Sequence, residues 1–271
     1  MPEGDTIWRT ARTLHGVLAG RMVTAFSSPL PGVAAAARRL GLVGQTVAAV
    51  EPSGKHLLMR FSGGATLHTH LRMTGSWHLY RVGTPWRKPA RAARVVLEAV
   101  EVTAVCFSAS VVELLPPGRG VGSPALQRLG PDLLSPDFDA AEARRRLWGR
   151  SKAEIGVALL DQTLFAGIGN VYKSEVCFLC AVNPFVRVGD LDEATLDRLI
   201  ETARREMRRN LGPGMRRTRS DLSQERLWVY RRSGKACLRC GNTVQRRLQG
   251  EQGRSTYWCP VCQPAARLAG C

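Results

Sequence analysis

The sequence predicts an α+β chain: an antiparallel β domain first, a helical domain second and a four-cysteine finger last. Three observations carry this. Short apolar stretches separated by Gly, Pro and Ser turns run from about residue 22 to 115, the spacing of an antiparallel sandwich or barrel. Helical periodicity replaces that pattern after the turn-rich run Pro116-Pro117-Gly118-Arg119-Gly120-Val121-Gly122, which marks a domain boundary. Cys237-x-x-Cys240 and Cys259-x-x-Cys262, with 18 residues between the pairs, have the spacing of a four-thiolate zinc site.

Residues 5–19 read as an opening helix, with Ile7, Trp8, Ala11, Leu14, His15 and Leu18 on one face and Gly20 ending it. Strands are expected at 46–50, 56–61, 66–70, 76–80, 94–99, 104–108 and 111–115, with Gly63-Gly64 as a hairpin turn. In the second half, Asp139 with Glu142 and Asp190 with Glu193 fit capping boxes. Residues 154–162 and 170–181 carry helical patterns around the turn Gly167-Ile168-Gly169-Asn170. A helix from 192 to about 210 turns Leu196, Leu199, Ile200, Ala203 and Met207 inward. Its other face carries Arg198, Arg204, Arg205, Arg208 and Arg209, where plain solvation is favoured over DNA contact. The expected domains are 1–120, 121–230 and 231–271.

The chain has 271 residues and is 44% hydrophobic, enough for two modest cores and too apolar for disorder. Its formal net charge is +17, which points to a polyanion partner, most often nucleic acid. Residues 1–130 carry 15 Lys and Arg against 6 Asp and Glu, and residues 131–271 carry 24 against 16. Both halves are basic, so both are expected to touch the polyanion, as in a cleft between domains. No apolar run approaches the length of a spanning helix, and no secretory signal opens the chain. A cytoplasmic protein is expected, in which eight cysteines argue against a disulfide framework.

Met1-Pro2-Glu3-Gly4 is either an ordinary start or a reactive one. With Met1 removed, Pro2 presents a secondary amine that titrates near pH 8, against about 10.4 for lysine. Attack on a sugar aldehyde carbon gives an iminium, an electron sink like a lysine Schiff base, and Glu3 beside it is suited to moving protons. Lys55, in Gly54-Lys55-His56, does not belong to a phosphate loop, because Ala49 stands where the first glycine is required and His56 replaces Ser or Thr. Asn170 opens a helix after a glycine turn, a place for a cap and for a phosphate. His68 and His70 share one strand face with no evident third ligand, and read as structural or DNA-facing. Cys177 and Cys180 have finger spacing but no second pair, and read as buried free thiols, as does Cys106 in a strand. Cys271 is expected at an exposed terminus.

MPEG at the start, SGKHL, FAGIGNVYKSE and a finger ending YWCPVCQ occur in that order. Together they resemble the formamidopyrimidine-DNA glycosylase / endonuclease VIII family of base-excision repair enzymes, over nearly the whole chain. The resemblance implies an α+β fold: an N-terminal antiparallel β-sandwich flanked by helices, then a helix–two-turns–helix domain with a β-hairpin zinc finger. It implies a DNA N-glycosylase and abasic-site lyase that flips a damaged nucleotide out of duplex DNA, acts as a monomer and holds one structural zinc ion through Cys237, Cys240, Cys259 and Cys262.

By the same resemblance Pro2 is the Schiff-base nucleophile and Glu3 its acidic partner. Lys55 contacts phosphate and assists β-elimination. Asn170 binds phosphate. Arg254, in GRSTYWC, grips the phosphates and is linked to δ-elimination, and Arg128, in LQRLGPD, is another DNA contact. The run His70-Leu71-Arg72-Met73-Thr74-Gly75 matches the loop that fills the gap left by the flipped base, so Met73 and Arg72 are the wedge candidates; a core position is the alternative for Met73. Two departures bear on substrate. Thr6 stands where many members carry a second glutamate. CFSASVVELL at 106–115 and the finger ending lean to the endonuclease VIII branch, hence to oxidised pyrimidines, while the Arg-Met wedge leans to 8-oxoguanine and formamidopyrimidine. A non-catalytic zinc-finger protein that reads lesions is the rival class.

Overall fold

The computed structural model describes residues 2–118, 124–221 and 224–265. Cys271 and residues 119–122 of the turn-rich run lie outside the described residues. The chain forms two compact units, residues 1–128 and 129–271.

The first unit opens with α1 (Gly4–Leu18). Ile7, Ala11, Leu14 and Leu18 are buried at helical spacing, whereas Trp8 is half-buried and His15 is exposed. His15 is held by a polar contact instead, its Nδ1 accepting the Val50 amide at 3.1 Å. Strand β1 (Val23–Ser27) follows, then α2 (Pro31–Arg39), which the sequence reading missed inside its β region. Pro31-Gly32 resembles a turn, yet proline at the first helical position is a normal start, and the run Ala34 to Ala37 propagates it.

Seven further strands complete two antiparallel sheets: β2 (Val47–Ser53), β3 (His56–Phe61), β4 (Thr66–His70), β5 (Ser76–Arg81), β6 (Ala93–Ala99), β7 (Val102–Phe107) and β8 (Val111–Leu115). One sheet has the order β2-β3-β4-β8, the other β1-β6-β7-β5. The core mixes Leu57, Met59 and Leu67 of the first with Val95, Leu97 and Cys106 of the second, so the two sheets face each other across it. Along β6 buried and part-buried residues alternate strictly, as one packed face requires. Strands β3 and β4 are buried on both faces, and the second face holds a histidine cluster described below. The unit ends with α3 (Pro124–Gln127).

The second unit contains α4 (Ala140–Trp148), α5 (Ile155–Ala158), α6 (Asn170–Leu179), α7 (Glu193–Arg209) and a hairpin of β9 (Gln245–Gln249) and β10 (Arg254–Trp258). Asp139 caps α4 by accepting the Glu142 amide at 2.9 Å. The second expected cap is displaced: Asp192, not Asp190, starts α7 by accepting the Thr195 amide at 2.8 Å, because Asp190 belongs to a preceding 3-10 turn. Leu196, Leu199, Ile200, Ala203 and Met207 are buried as expected. Part of the arginine face binds the protein itself. Arg205 and Arg209 pair with the buried Glu206, and Arg204 stacks over the Phe138 ring at 4.9 Å.

Helix α6 is buried from Asn170 through Phe178. Its Glu175 is wholly buried and accepts the Thr218 hydroxyl and the amides of Trp228, Val229 and Tyr230 at 2.8–2.9 Å. Burial raises the pKa of this carboxyl, and the four donors oppose that rise. The chain segment that leads into the finger is thereby tied to α6. Glu175→Ala leaves buried donors unpaired, at about 1–3 kcal/mol each before any water enters. A loss of about 3 kcal/mol or more is expected in urea unfolding of the second unit; a loss under about 1 kcal/mol would contradict this account.

Candidate active site and metal centre

Helix α1 places Pro2 and Glu3 at its first turn. Glu3 is the N-cap residue and is wholly buried, while Pro2 is half-buried. The main-chain oxygen of Glu3 accepts the Thr6 and Ile7 amides at 2.9 and 3.0 Å, which fixes the exit of the chain towards Pro2. A second carboxylate, Asp5, is also wholly buried and accepts the Thr6 amide at 2.7 Å. The helix packs on β2 and β3, and the turn joining these strands carries Lys55. Ser53 pairs with His56 across a two-residue connection, Gly54-Lys55. Gly54 takes the positive φ of 56° that the first central position of such a turn needs, so Lys55 stands at a hairpin tip.

Behind Lys55 lies a chain of histidines that sequence reading found only in part. The strand pattern pairs His68 with His70 and offers no third; the structure supplies His56, which sits opposite His70 on β3. Nδ1 of His56 meets Nε2 of His68 at 2.7 Å, and Nδ1 of His68 meets Glu113 Oε2 at 3.0 Å. The carboxylate takes the His68 Nδ1–H, which leaves His68 Nε2 to accept from His56. The rings are therefore joined to each other rather than arranged around an ion. Burial, then His70, His68 and Lys55, lower the His56 pKa to about 3. Burial, then Lys55 and Arg72, lower that of His70 to about 4.

The loop after β4 projects the wedge candidates. Leu71 is buried, Arg72 adopts a left-handed φ of 46°, and Met73 is 61% exposed, so Met73 is not a core residue. The loop is tight because the Gly75 amide donates to Leu71 O at 2.9 Å, and a Cβ at position 75 would lie 2.5 Å from that oxygen. Arg128 is exposed just beyond α3.

In the second unit the structure brings Asn170 and the Arg254 strand together. Asn170 is not the cap of α6; Gly169 is, and Asn170 is the first helical residue. Its Nδ2 donates to Ser255 O at 2.7 Å, and its buried Oδ1 has no hydrogen-bond partner among the described residues. Arg254 is exposed at the start of β10, its guanidinium donating to Gln252 Oε1 at 3.2 and 3.0 Å. Beneath it, Lys173 is wholly buried, with Nζ 2.6 Å from Thr256 Oγ1 and 3.4 Å from Ser255 O. Thr256 donates to Gln249 Oε1 at 2.7 Å, and Gln249 Nε2 donates to Glu154 Oε2 and Pro184 O, both at 2.8 Å. A Cβ on Gly156 would come within 2.5 Å of Gln249 Oε1. Lys173, Thr256, Gln249 and Glu154 escaped sequence reading, because no spacing links residues so far apart in the chain.

The four finger cysteines converge. All four sulfurs lie within 4.8 Å of one another, with Cys237 and Cys262 at 3.9 Å and Cys240 and Cys259 at 3.5 Å. Zinc–sulfur bonds of about 2.3 Å in a tetrahedron put sulfurs about 3.8 Å apart, so the donor set fits zinc. Each CxxC sits on a turn, closed by the Gly241 amide on Cys237 O and the Gln263 amide on Cys259 O, both 2.9 Å. Cys177 and Cys180 stand apart as buried free thiols, and burial pushes the Cys177 thiol up to about 12. Between them Phe178 packs with Val229, Cys237, Val244 and Cys259, so this decoy stretch is the floor of the finger.

Comparison with known proteins agrees along the chain. Residues 1–109 match the formamidopyrimidine-DNA glycosylase N-terminal domain, 129–220 the formamidopyrimidine-DNA glycosylase H2TH domain, and 234–265 the zinc finger found in FPG and IleRS. A probable endonuclease 8 2 of Streptomyces coelicolor is 44% identical, over 100% of this chain and 97% of its own. A DNA-(apurinic or apyrimidinic site) lyase of Mycolicibacterium smegmatis is 39% identical over 98% and 100%. Endonuclease 8 of Escherichia coli is 32% identical over 97% and 100%. The crystal structure of Lactococcus lactis formamidopyrimidine-DNA glycosylase bound to DNA with an abasic site superposes with a TM-score of 0.83, at 25% identity, covering 97% of this chain and 100% of that one.

The histidine cluster sets a pH dependence. His56 and His70 protonate more readily in the unfolded chain, near pH 6.5, than in the fold, at about 3 and 4. Below pH 6.5 the unfolded state binds more protons, so stability falls with acidification, by at most about 1.4 kcal/mol per pH unit for each histidine. The melting temperature is expected to drop between pH 7 and 5.5, and to drop less in His70→Gln. Equal slopes for wild type and variant would refute the assignment.

Proposed function

The chain belongs to the formamidopyrimidine-DNA glycosylase / endonuclease VIII family, and on that premise we propose that it excises oxidised pyrimidines through an N-terminal proline Schiff base and nicks the strand by β,δ-elimination. It is a DNA N-glycosylase and abasic-site lyase, with damaged DNA as its partner. The observation that carries the mechanism is the pairing of Pro2 with a wholly buried Glu3 at the start of a helix. A buried carboxyl at that point has a proton-handling task available one residue from the amine.

The Pro2 nitrogen forms a bond to C1′ of the flipped nucleotide as the bond from C1′ to the base breaks, and the base leaves with the proton given up by the nitrogen; the C1′–O4′ bond then breaks, with Glu3 delivering a proton to O4′. The resulting iminium acidifies C2′. Loss of the C2′ proton breaks the 3′ C–O bond, and a second elimination breaks the 5′ one. Water then releases Pro2. Lys55, Asn170 and Arg254 hold the phosphates where negative charge develops. Arg128 adds a backbone contact, and Met73 with Arg72 fills the vacated stack. One zinc ion bound by Cys237, Cys240, Cys259 and Cys262 would supply structure to the finger. The domains for these tasks are 1–120, 121–230 and 231–271, in a monomer acting in the cytoplasm at the nucleoid.

The pyrimidine preference rests on the lean of residues 106–115 and of the finger ending to the endonuclease VIII branch, and the endonuclease 8 names of the relatives with 44% and 32% identity support that branch. The Arg72-Met73 wedge favours the second reading, the same chemistry on 8-oxoguanine or formamidopyrimidine. Borohydride trapping on thymine glycol, 8-oxoguanine and abasic duplexes, with peptide mapping, separates the two. A Pro2 adduct on thymine glycol is expected, in a protein whose intact mass lacks Met1. Trapping on 8-oxoguanine and the abasic site alone would move the enzyme to purines, and binding without trapping would leave a lesion reader. Pro2→Gly is expected to lose base excision.

Removing the metal, or Cys259→Ser, is expected to weaken DNA binding. Equal affinity of the metal-free chain would take the finger out of the interface. Affinity should also fall steeply with salt, since each phosphate contact releases a counterion.

A further inference from the structure

We propose that Lys173 is a positioning residue for Arg254: through Thr256 and the Ser255 carbonyl it fixes the strand on which the arginine stands. The inference rests on the reading of Arg254 as the group that drives δ-elimination.

The polarity of the network supports it. A lysine ammonium only donates, so a hydrogen-bond chain that begins there runs one way. The Thr256 hydroxyl accepts from Lys173 at 2.6 Å and donates to Gln249 Oε1 at 2.7 Å. That fixes the amide of Gln249, whose two Nε2 hydrogens reach Glu154 Oε2 and Pro184 O at 2.8 Å. The chain starts on a cation and ends on a carboxylate. Reversing any link would set a buried donor against a donor, which costs more than the link contributes. Lys173 and Thr256 are wholly buried, and Gln249 is 6% exposed, so water is a poor substitute.

The network converges beside Arg254. Asn170 and Lys173, one helical turn apart on α6, both donate to the carbonyl of Ser255, at 2.7 and 3.4 Å. Arg254 is the preceding residue, and its exposed guanidinium is steadied by Gln252 alone among the described hydrogen bonds. What the protein fixes for this long side chain is therefore its backbone. Gly156 completes the device, since only a residue without Cβ lets Gln249 seat at this depth.

On the reading adopted above, Arg254 helps to hold the phosphates throughout and is linked in particular to the second elimination, so its placement weighs most on that step. The partition between β and δ products is thus the readout that positioning moves and simple loss of DNA affinity does not. The test uses the zinc-loaded full chain on an abasic duplex in single turnover. Lys173→Met is expected to lower the δ-to-β product ratio about tenfold or more, with zinc content and borohydride trapping unchanged. Thr256→Val is expected to do the same, while Thr256→Ser, which keeps the hydroxyl, stays near the wild-type ratio. A folded, zinc-loaded Lys173→Met enzyme with the wild-type ratio overturns the proposal. If that variant does not fold, an unchanged ratio in Thr256→Val overturns it. Arg254→Ala is the control: if its ratio equals that of wild type, the reading of Arg254 fails, and the proposal falls with it.

Discussion

Helix α6 is buried along its length, from Asn170 to Phe178, and its polar side chains therefore have to find partners in other segments. Their hydrogen bonds reach β10 and residues 228–230. Asn170 and Lys173 take the Ser255 carbonyl, Ser174 meets the Tyr257 amide, and Glu175 gathers the amides of 228–230. Phe178 lies under the cysteine turns. The finger hairpin has little core of its own, so its attachment is largely the sum of these contacts. A helix that sequence reading treats as a carrier of one phosphate-binding asparagine is the internal frame of the whole second unit.

The first unit answers the same demand with histidines. Strands β3 and β4 are apolar on the sandwich face, and their second face buries His56 and His68. Joining the rings to each other and to Glu113 satisfies nitrogens that would otherwise be stranded. Burial, with the charges of Lys55 and Arg72 close by, keeps His56 and His70 uncharged.

Much of this was legible in the sequence, for reasons that differ by element. The strands announce themselves through alternation between turns, and 56–61, 66–70 and 111–115 match β3, β4 and β8 residue for residue. The finger is legible because metal geometry dictates spacing. Helix α2 was not, since Pro31-Gly32 looks like a turn when its alanines are not weighed. Asp190 and Asp192 both suit a cap, and only packing chooses between them. His56 is not legible from the pattern within one strand, because its neighbour His70 lies across a strand pair. The contacts of Lys173 and Gln249 leave no local trace at all.

The close approach of Gly156 to Gln249 has a consequence for how such a chain changes over generations. Any side chain at 156 would overlap the amide that fills the space above it, and any shorter residue at 249 would leave the Thr256 hydroxyl and the Glu154 carboxylate facing a void. Neither position is free to drift alone. The two are expected to vary as a pair across relatives, with glycine kept wherever glutamine is kept and released only where the buried polar chain has been replaced as a whole.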